Sequence, residues 1–176
     1  MPPNLLYYIC IDMKWREKVM FSVGDKIVYP MQGAGVIQGI EEKKILGQTR
    51  QYYTLKLPGN DINIMIPVDS SESIGIREVL PEEEMRKILD VLSADSTPMD
   101  PNWNRRYREN MEKLKSGDIN QVAGVVRNLV RNDRVKSLST GERKLLNGAK
   151  KILLSEFVLS MGITWEEAES MVEEAI

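Results

Sequence analysis

The strongest constraint on how this chain can fold is a change in its hydrophobic period at Pro81. Ahead of it, from Phe21 to about Ile76, short apolar runs are broken by turn residues. They cover 26–29 before Pro30, then 34–45, a Leu46-Gly47-Gln48 turn, 50–57, a Pro58-Gly59-Asn60-Asp61 turn, and 62–66. In the last run Ile62, Ile64 and Ile66 share one face while Asn63 and Met65 take the other, the alternation of a half-buried antiparallel strand. Strands this short and closely spaced, within about 55 residues, leave no room for crossover helices, so this segment is expected to form a small, closed or nearly closed antiparallel β-barrel of SH3 or Tudor type.

Behind Pro81 the period is helical. Glu82, Glu83 and Glu84 suit the positive end of a helix dipole, and Met85, Ile88, Leu89 and Leu92 form the apolar stripe that follows. A polar break, 93–102, precedes Trp103, Tyr107, Met111 and Leu114, and Ser116-Gly117 ends that helix. Asp118 is placed to cap a helix bearing Ile119, Val122, Val126 and Leu129 and running to about Arg131. Ser139 with Glu142, and Thr164 with Glu167, read as capping boxes. The first opens a helix with Leu145, Ala149, Ile152, Leu153 and Phe157 inward and Arg143, Lys144, Lys150 and Lys151 largely outward. The expectation is an α+β, two-domain protein: a barrel over 20–76 and an all-α domain of about five helices over 80–176. Residues 1–19 show no clear period, and Trp15-Arg16-Glu17 can be encoded with a purine-rich ribosome-binding sequence just ahead of Met20. They are therefore expected to precede the true translation start; an intact native mass that included them would refute this.

With 176 residues, 42% apolar and 28% charged, the composition is that of a globular protein. No apolar run approaches the roughly 20 residues that cross a bilayer, and the start lacks a leader pattern, so a cytoplasmic protein without membrane attachment is expected. One cysteine, Cys10, and no histidine exclude an internal disulfide and remove the usual ligands of zinc, copper and non-haem iron sites, so no metal or cofactor is expected. Gly33, Gly35 and Gly39 have the wrong spacing for a dinucleotide loop and lead into a strand; a tight bend and a curved strand explain them better. Walker, H-E-x-x-H and G-x-S-x-G patterns are absent, and the acids sit at helix starts and tails, so no catalytic residue is assigned.

Charge is unevenly spread. Residues 93–160 carry 13 basic and 8 acidic groups, net +5, against +1 for 1–19, −3 for 20–92 and −5 for 161–176, for −2 in all. A basic middle fits contact with a polyanion, and it equally fits a helix bundle with lysine- and arginine-rich solvated faces. The segment Asn102-Trp103-Asn104-Arg105-Arg106-Tyr107-Arg108 sharpens the first reading. Arginines neutralise phosphates, and a flat aromatic can wedge against an opened base step, where stacking is worth roughly 1 to 3 kcal/mol. Trp103 is also in helical phase with Tyr107 and Met111, so spacing alone leaves it as either a core residue or a wedge.

The runs Val23-Gly24-Asp25-Lys26-Ile27-Val28-Tyr29-Pro30 and Gly33-Ala34-Gly35-Val36, the strands around Tyr52 to Leu57 and ending Ile66-Pro67, then Trp103-Asn104-Arg105-Arg106-Tyr107 and Glu112-Lys113-Leu114 through Gly117-Asp118, resemble the CarD/CdnL proteins in that order. The resemblance covers about residues 20–160. It implies a Tudor-like domain that binds the RNA polymerase β subunit and a helical domain that contacts promoter DNA at the upstream edge of the bubble, stabilising the open complex, in a protein that is monomeric when free. On the DNA side, near the −10 element, it points to Trp103 as a wedge with Arg105, Arg106 and Arg108 beside it, and Lys150 joins them as a further basic candidate. On the polymerase side it points to the barrel edge at Lys43, Lys44, Met65 and Pro67, departing from the family where an arginine is common and this chain has Lys43 or Met65. The rival expectation is a protein-interaction adaptor without direct DNA contact, in which Trp103 is buried.

Overall fold

A computed structural model describes residues 21–59 and 63–176; the expectation for residues 1–19 and the placing of Ile62 lie outside them. Strands β1 (Lys26–Tyr29), β2 (Gly33–Ile45), β3 (Gln48–Lys56), β4 (Asn63–Pro67) and β5 (Arg77–Glu78) form one antiparallel sheet in the order β4-β3-β2-β1-β5. Among the described residues no ladder joins β4 to β5, so the sheet is curved but open, not the closed form of the expected barrel. The curvature has local causes. A register shift between Ile37 and Gly39 bulges β2, and a Cβ at Gly35 would meet the Lys56 carbonyl at 2.7 Å, so only glycine lets β3 come this close. Ile27, Ile37, Tyr53, Leu55 and Ile66 are fully buried inside the sheet, with Ile64 packed against them as its alternation with Asn63 and Met65 requires.

The turn joining β2 to β3 is tighter than expected. Ile45 pairs directly with Gln48, leaving a two-residue loop in which Leu46 (φ 52) and Gly47 (φ 78) are both left-handed, the pattern that matches the twist of the flanking strands.

A 3₁₀ turn (Val68–Ser70) and a single-turn helix α1 (Ser71–Ile74) lead to β5, and five longer helices follow. They are α2 (Glu82–Ser93), α3 (Trp103–Lys115), α4 (Ile119–Val135), α5 (Thr140–Met161) and α6 (Trp165–Ala175). Both capping boxes are formed, at Ser139 with Glu142 and at Thr164 with Glu167. The apolar stripes converge on one core in which Met85, Leu92, Val126, Leu129, Leu153 and Phe157 are buried. At roughly 1.5 to 3 kcal/mol for each large side chain, this burial, more than helix propensity, holds the elements in place. α4 runs one turn beyond the expected Arg131, and Arg131 donates to the carbonyls of Ala94 (2.7 Å) and Ser93 (3.3 Å).

The two parts of the chain touch along α5. Gly33 lacks a Cβ that would lie 2.6 Å from Ser155 Oγ, and the Ala34 N–H donates to that same oxygen at 2.8 Å. Beside it Arg77 of β5 and Glu156 of α5 form a two-pronged ion pair at 2.7 and 2.9 Å, with Glu156 fully buried. Partners lying 79 residues apart leave no local pattern by which sequence periodicity could pair them.

Candidate nucleic-acid interface

α3 begins where Asn102 turns from extended to helical backbone. Its side-chain oxygen accepts the N–H groups of Asn104 (3.0 Å) and Arg105 (3.3 Å), a cap that starts the helix at Trp103. Being first in the helix, Trp103 has no preceding turn to cover it. It is 53% exposed and touches Tyr107 edge-on, with ring centroids 6.2 Å apart. Spacing alone leaves open whether Trp103 belongs to the core; in the fold Tyr107 and Met111 pack against the core and Leu114 is buried in it, while Trp103 stands largely outside.

The three arginines of the motif part company. Arg105 and Arg108 are exposed, whereas Arg106 turns inward. Its Nε and Nη2 donate to Glu142 Oε1 at 2.8 and 2.6 Å, and Nη1 donates to the Asp100 carbonyl at 2.9 Å. Its side chain is 16% exposed and that of Glu142 only 6%. Burial raises the Glu142 pKa, but hydrogen bonds from Arg106 and Ser139 together with the Arg106 charge outweigh it, so the carboxyl sits below its ordinary 4.5 and stays ionised. Arg106 thus ties the Trp103 end of α3 to the start of α5. Trp103, Arg106, Lys136, Ser139 and Glu142 line a cleft of about 500 Å³.

Lys150 is not brought to this cleft. It is half-buried against α6 with Nζ 3.5 Å from Glu173 Oε1, and lines a separate depression with Arg134 and Ile176. Much of the basic middle is likewise engaged within the fold. Arg127, buried at 4% exposure, donates to the Val91 carbonyl at 2.8 Å; burial and then the neighbouring Arg131 charge pull its pKa down from the ordinary arginine value. Asn128 holds Thr97 through a 2.7 Å bond, and Arg143 pairs with Asp133 at 3.0 Å. Asn128 and Arg131 pin the polar break 93–102 to α4, and Arg143 ties α5 to the same helix. Sequence periodicity gives Arg127 and Asn128 no role, places Asn102 only as a neighbour of Trp103, and reads Glu142 as a cap without its Arg106 partner. Asn102 had a signal, an amide directly ahead of the helical period; the others take partners some 30 residues away, and no signal reaches that far.

The candidates on the sheet sort by strand parity. Glu41 lies opposite Tyr52 and Tyr52 opposite Pro67, while Thr54 lies opposite Met65, so Lys43, Met65 and Pro67 share the outer face. Lys43 Nζ reaches 3.3 Å from Met65 Sδ and 3.3 Å from Glu41 Oε2. Lys44 falls on the opposite face, in the projecting part of the β2–β3 arm where residues 41–50 are all exposed. Among the described residues no cluster of three or more acidic or sulfur groups suits a metal ion, and no helix is long and apolar enough to cross a membrane.

Comparison with known proteins gives the same order of parts. Residues 21–80 match the CarD-like/TRCF RID domain, and residues 87–173 match the CarD C-terminal domain. The chain is also similar to a protein of Bacillus subtilis (strain 168) named "Putative transcription factor YdeB", being 37% identical over 151 residues, 86% of this chain and 99% of that relative. Matched in its strand-rich part, in its helical part and against a full-length relative, the chain belongs to the CarD/CdnL family of transcription factors.

Proposed function

We propose that this protein regulates transcription, without catalysis, by binding the RNA polymerase β subunit through the sheet edge of residues 20–76 and contacting promoter DNA at the upstream edge of the bubble through residues 80–176. The observation that carries the proposal is Trp103: a half-exposed indole at the open end of a helix whose neighbours Arg105 and Arg108 face solvent. The rival adaptor reading expects a buried Trp103, and at 53% exposure the indole does not meet that expectation.

Few basic groups face solvent beside Trp103, so the free protein binds DNA weakly and with little sequence preference. Attachment to polymerase raises the local concentration of the helical part near the fork to something like the millimolar range. If the indole stacks on an opened base step better than on closed duplex, the open complex gains by that difference, and about 1.4 kcal/mol shifts the equilibrium tenfold. Lys43, Met65 and Pro67, side by side on the outer face, are the proposed polymerase contacts, with Lys44 reaching from the arm. Arg105 and Arg108 approach phosphates, while Arg106 orients the helix, and Lys150 is at most a peripheral DNA contact.

The test is open-complex lifetime with purified polymerase holoenzyme, comparing the parent with Trp103→Ala. The parent is expected to lengthen the lifetime and the folded variant to lose most of that gain, on the order of tenfold, while still binding polymerase. Equal lifetimes for the two proteins would refute the wedge.

A further inference from the structure

Two buried carboxylates lie on α5, and each takes an arginine from a different part of the molecule. Glu142 in the first turn holds Arg106 of α3, and Glu156, fully buried, holds Arg77 of β5. Fourteen residues separate them, close to four turns and about 21 Å of helix, so both point from nearly the same side. Arg77 does more than pair with Glu156: its Nε donates to the Gly117 carbonyl, just past the end of α3, at 3.0 Å. The Leu80 N–H completes the Glu156 site at 3.2 Å. α3 is thereby fixed at both ends, by Arg106 beside Trp103 and by Arg77 beyond Lys115. The sheet is fixed to the same helix by the Ala34 bond to Ser155 and by Lys26 Nζ, which donates to the Leu159 carbonyl at 2.8 Å.

We propose that α5 is a strut that sets the position of Trp103 relative to the polymerase-facing sheet, with Arg77 as a positioning residue at its far end. The inference rests on the proposed function, in which the sheet holds polymerase and Trp103 meets DNA. Its physical basis is leverage. α3 is 13 residues, about 20 Å long, so a tilt of about 6° at the Gly117 end displaces Trp103 by about 2 Å, more than a stacking contact tolerates. Apolar packing alone is a weak way to fix such an angle, because it is not directional. A planar guanidinium that spans both Glu156 oxygens and the Gly117 carbonyl is directional. Buried ion pairs are often replaceable by apolar groups with no loss of stability, so the pair at this junction is better explained by position than by stability.

The test replaces the pair by apolar groups of similar size, Arg77→Met with Glu156→Met, in the full chain. A Cys10→Ser background carrying Gln38→Cys and Glu109→Cys reports the distance between sheet and α3 through spin labels. The variant is expected to melt within a few degrees of the parent and to bind polymerase equally well. Its distance distribution broadens, and its open-complex lifetime falls about fivefold. Arg77→Lys keeps the charge but cannot span the same three oxygens, so it should fall between the two, and it decides the matter alone should the double variant not fold. A narrow, parent-like distribution with a parent-like lifetime overturns the strut. A lifetime insensitive to Trp103→Ala sinks the function reading instead, and the distance distribution then still decides whether Arg77 holds α3.

Discussion

The β2–β3 arm and the start of α3 both present residues proposed to meet partners, yet they are built in opposite ways. On the arm, residues 42–50 stand in solvent on a two-stranded ribbon, and the one ion pair of Lys43, with Glu41, is exposed on both sides. Such a pair is worth at most about 1 kcal/mol, so these side chains are free to rearrange against a partner. At α3 the exposed indole is mounted on a capped helix whose second arginine is clamped to a buried glutamate. One surface is adaptable and loses side-chain entropy when it binds; the other is preorganised and loses little. A wedge must be stiff, because a tryptophan that yields cannot favour an open base step.

Breaking the clamp should give the largest effect. Arg106→Ala leaves Glu142 buried without its partner and is expected to cost about 3 kcal/mol in urea denaturation, whereas Arg105→Ala and Arg108→Ala stay within about 0.5 kcal/mol. Equal costs for all three would erase the distinction between the clamped arginine and its exposed neighbours. The same pair sets an acid limit. The Glu142 carboxyl lies below its ordinary 4.5 in the folded protein, so its contribution is complete above that pH and is lost as pH falls through 4.5 toward the folded value. Thermal melts between neutral and strongly acidic pH should therefore decline less steeply below 4.5 for Glu142→Gln than for the parent, and parallel declines would show that Glu142 gains nothing from Arg106. The smallest effect belongs to the arm. Leu46 is 99% exposed with φ 52, so Leu46→Asn removes left-handed strain without removing packing and should add about 0.5 kcal/mol. A loss would mean that Leu46 is supported by contacts its exposure does not suggest.

Much of this was legible in the sequence, for reasons particular to each element. The alternation of Ile64 and Ile66 with Asn63 and Met65 places β4 against the core because strand side chains alternate by geometry alone. Ser139 with Glu142, and Thr164 with Glu167, mark helix starts because a cap is formed by residues three apart. Trp103 beside three arginines was legible as a nucleic-acid candidate, but its exposure was not, because a helical period is the same whether a residue stands at the free end or over the core.

Composition and local spacing by themselves determined the order of β1 to β4 and of α2 to α6, though not the short α1 and β5, together with most of the caps and the want of histidine and paired cysteine. Only the tertiary structure decided which charges are available. Arg105 and Arg106 are adjacent and chemically identical, yet one faces solvent and the other is bound to a glutamate 36 residues away. Arg77 meets Glu156 across 79 residues. Backbone geometry and capping act within a turn or two and so leave a pattern in the sequence, whereas an ion pair formed when α5 packs against α3 and β5 depends on where the whole chain has brought its side chains.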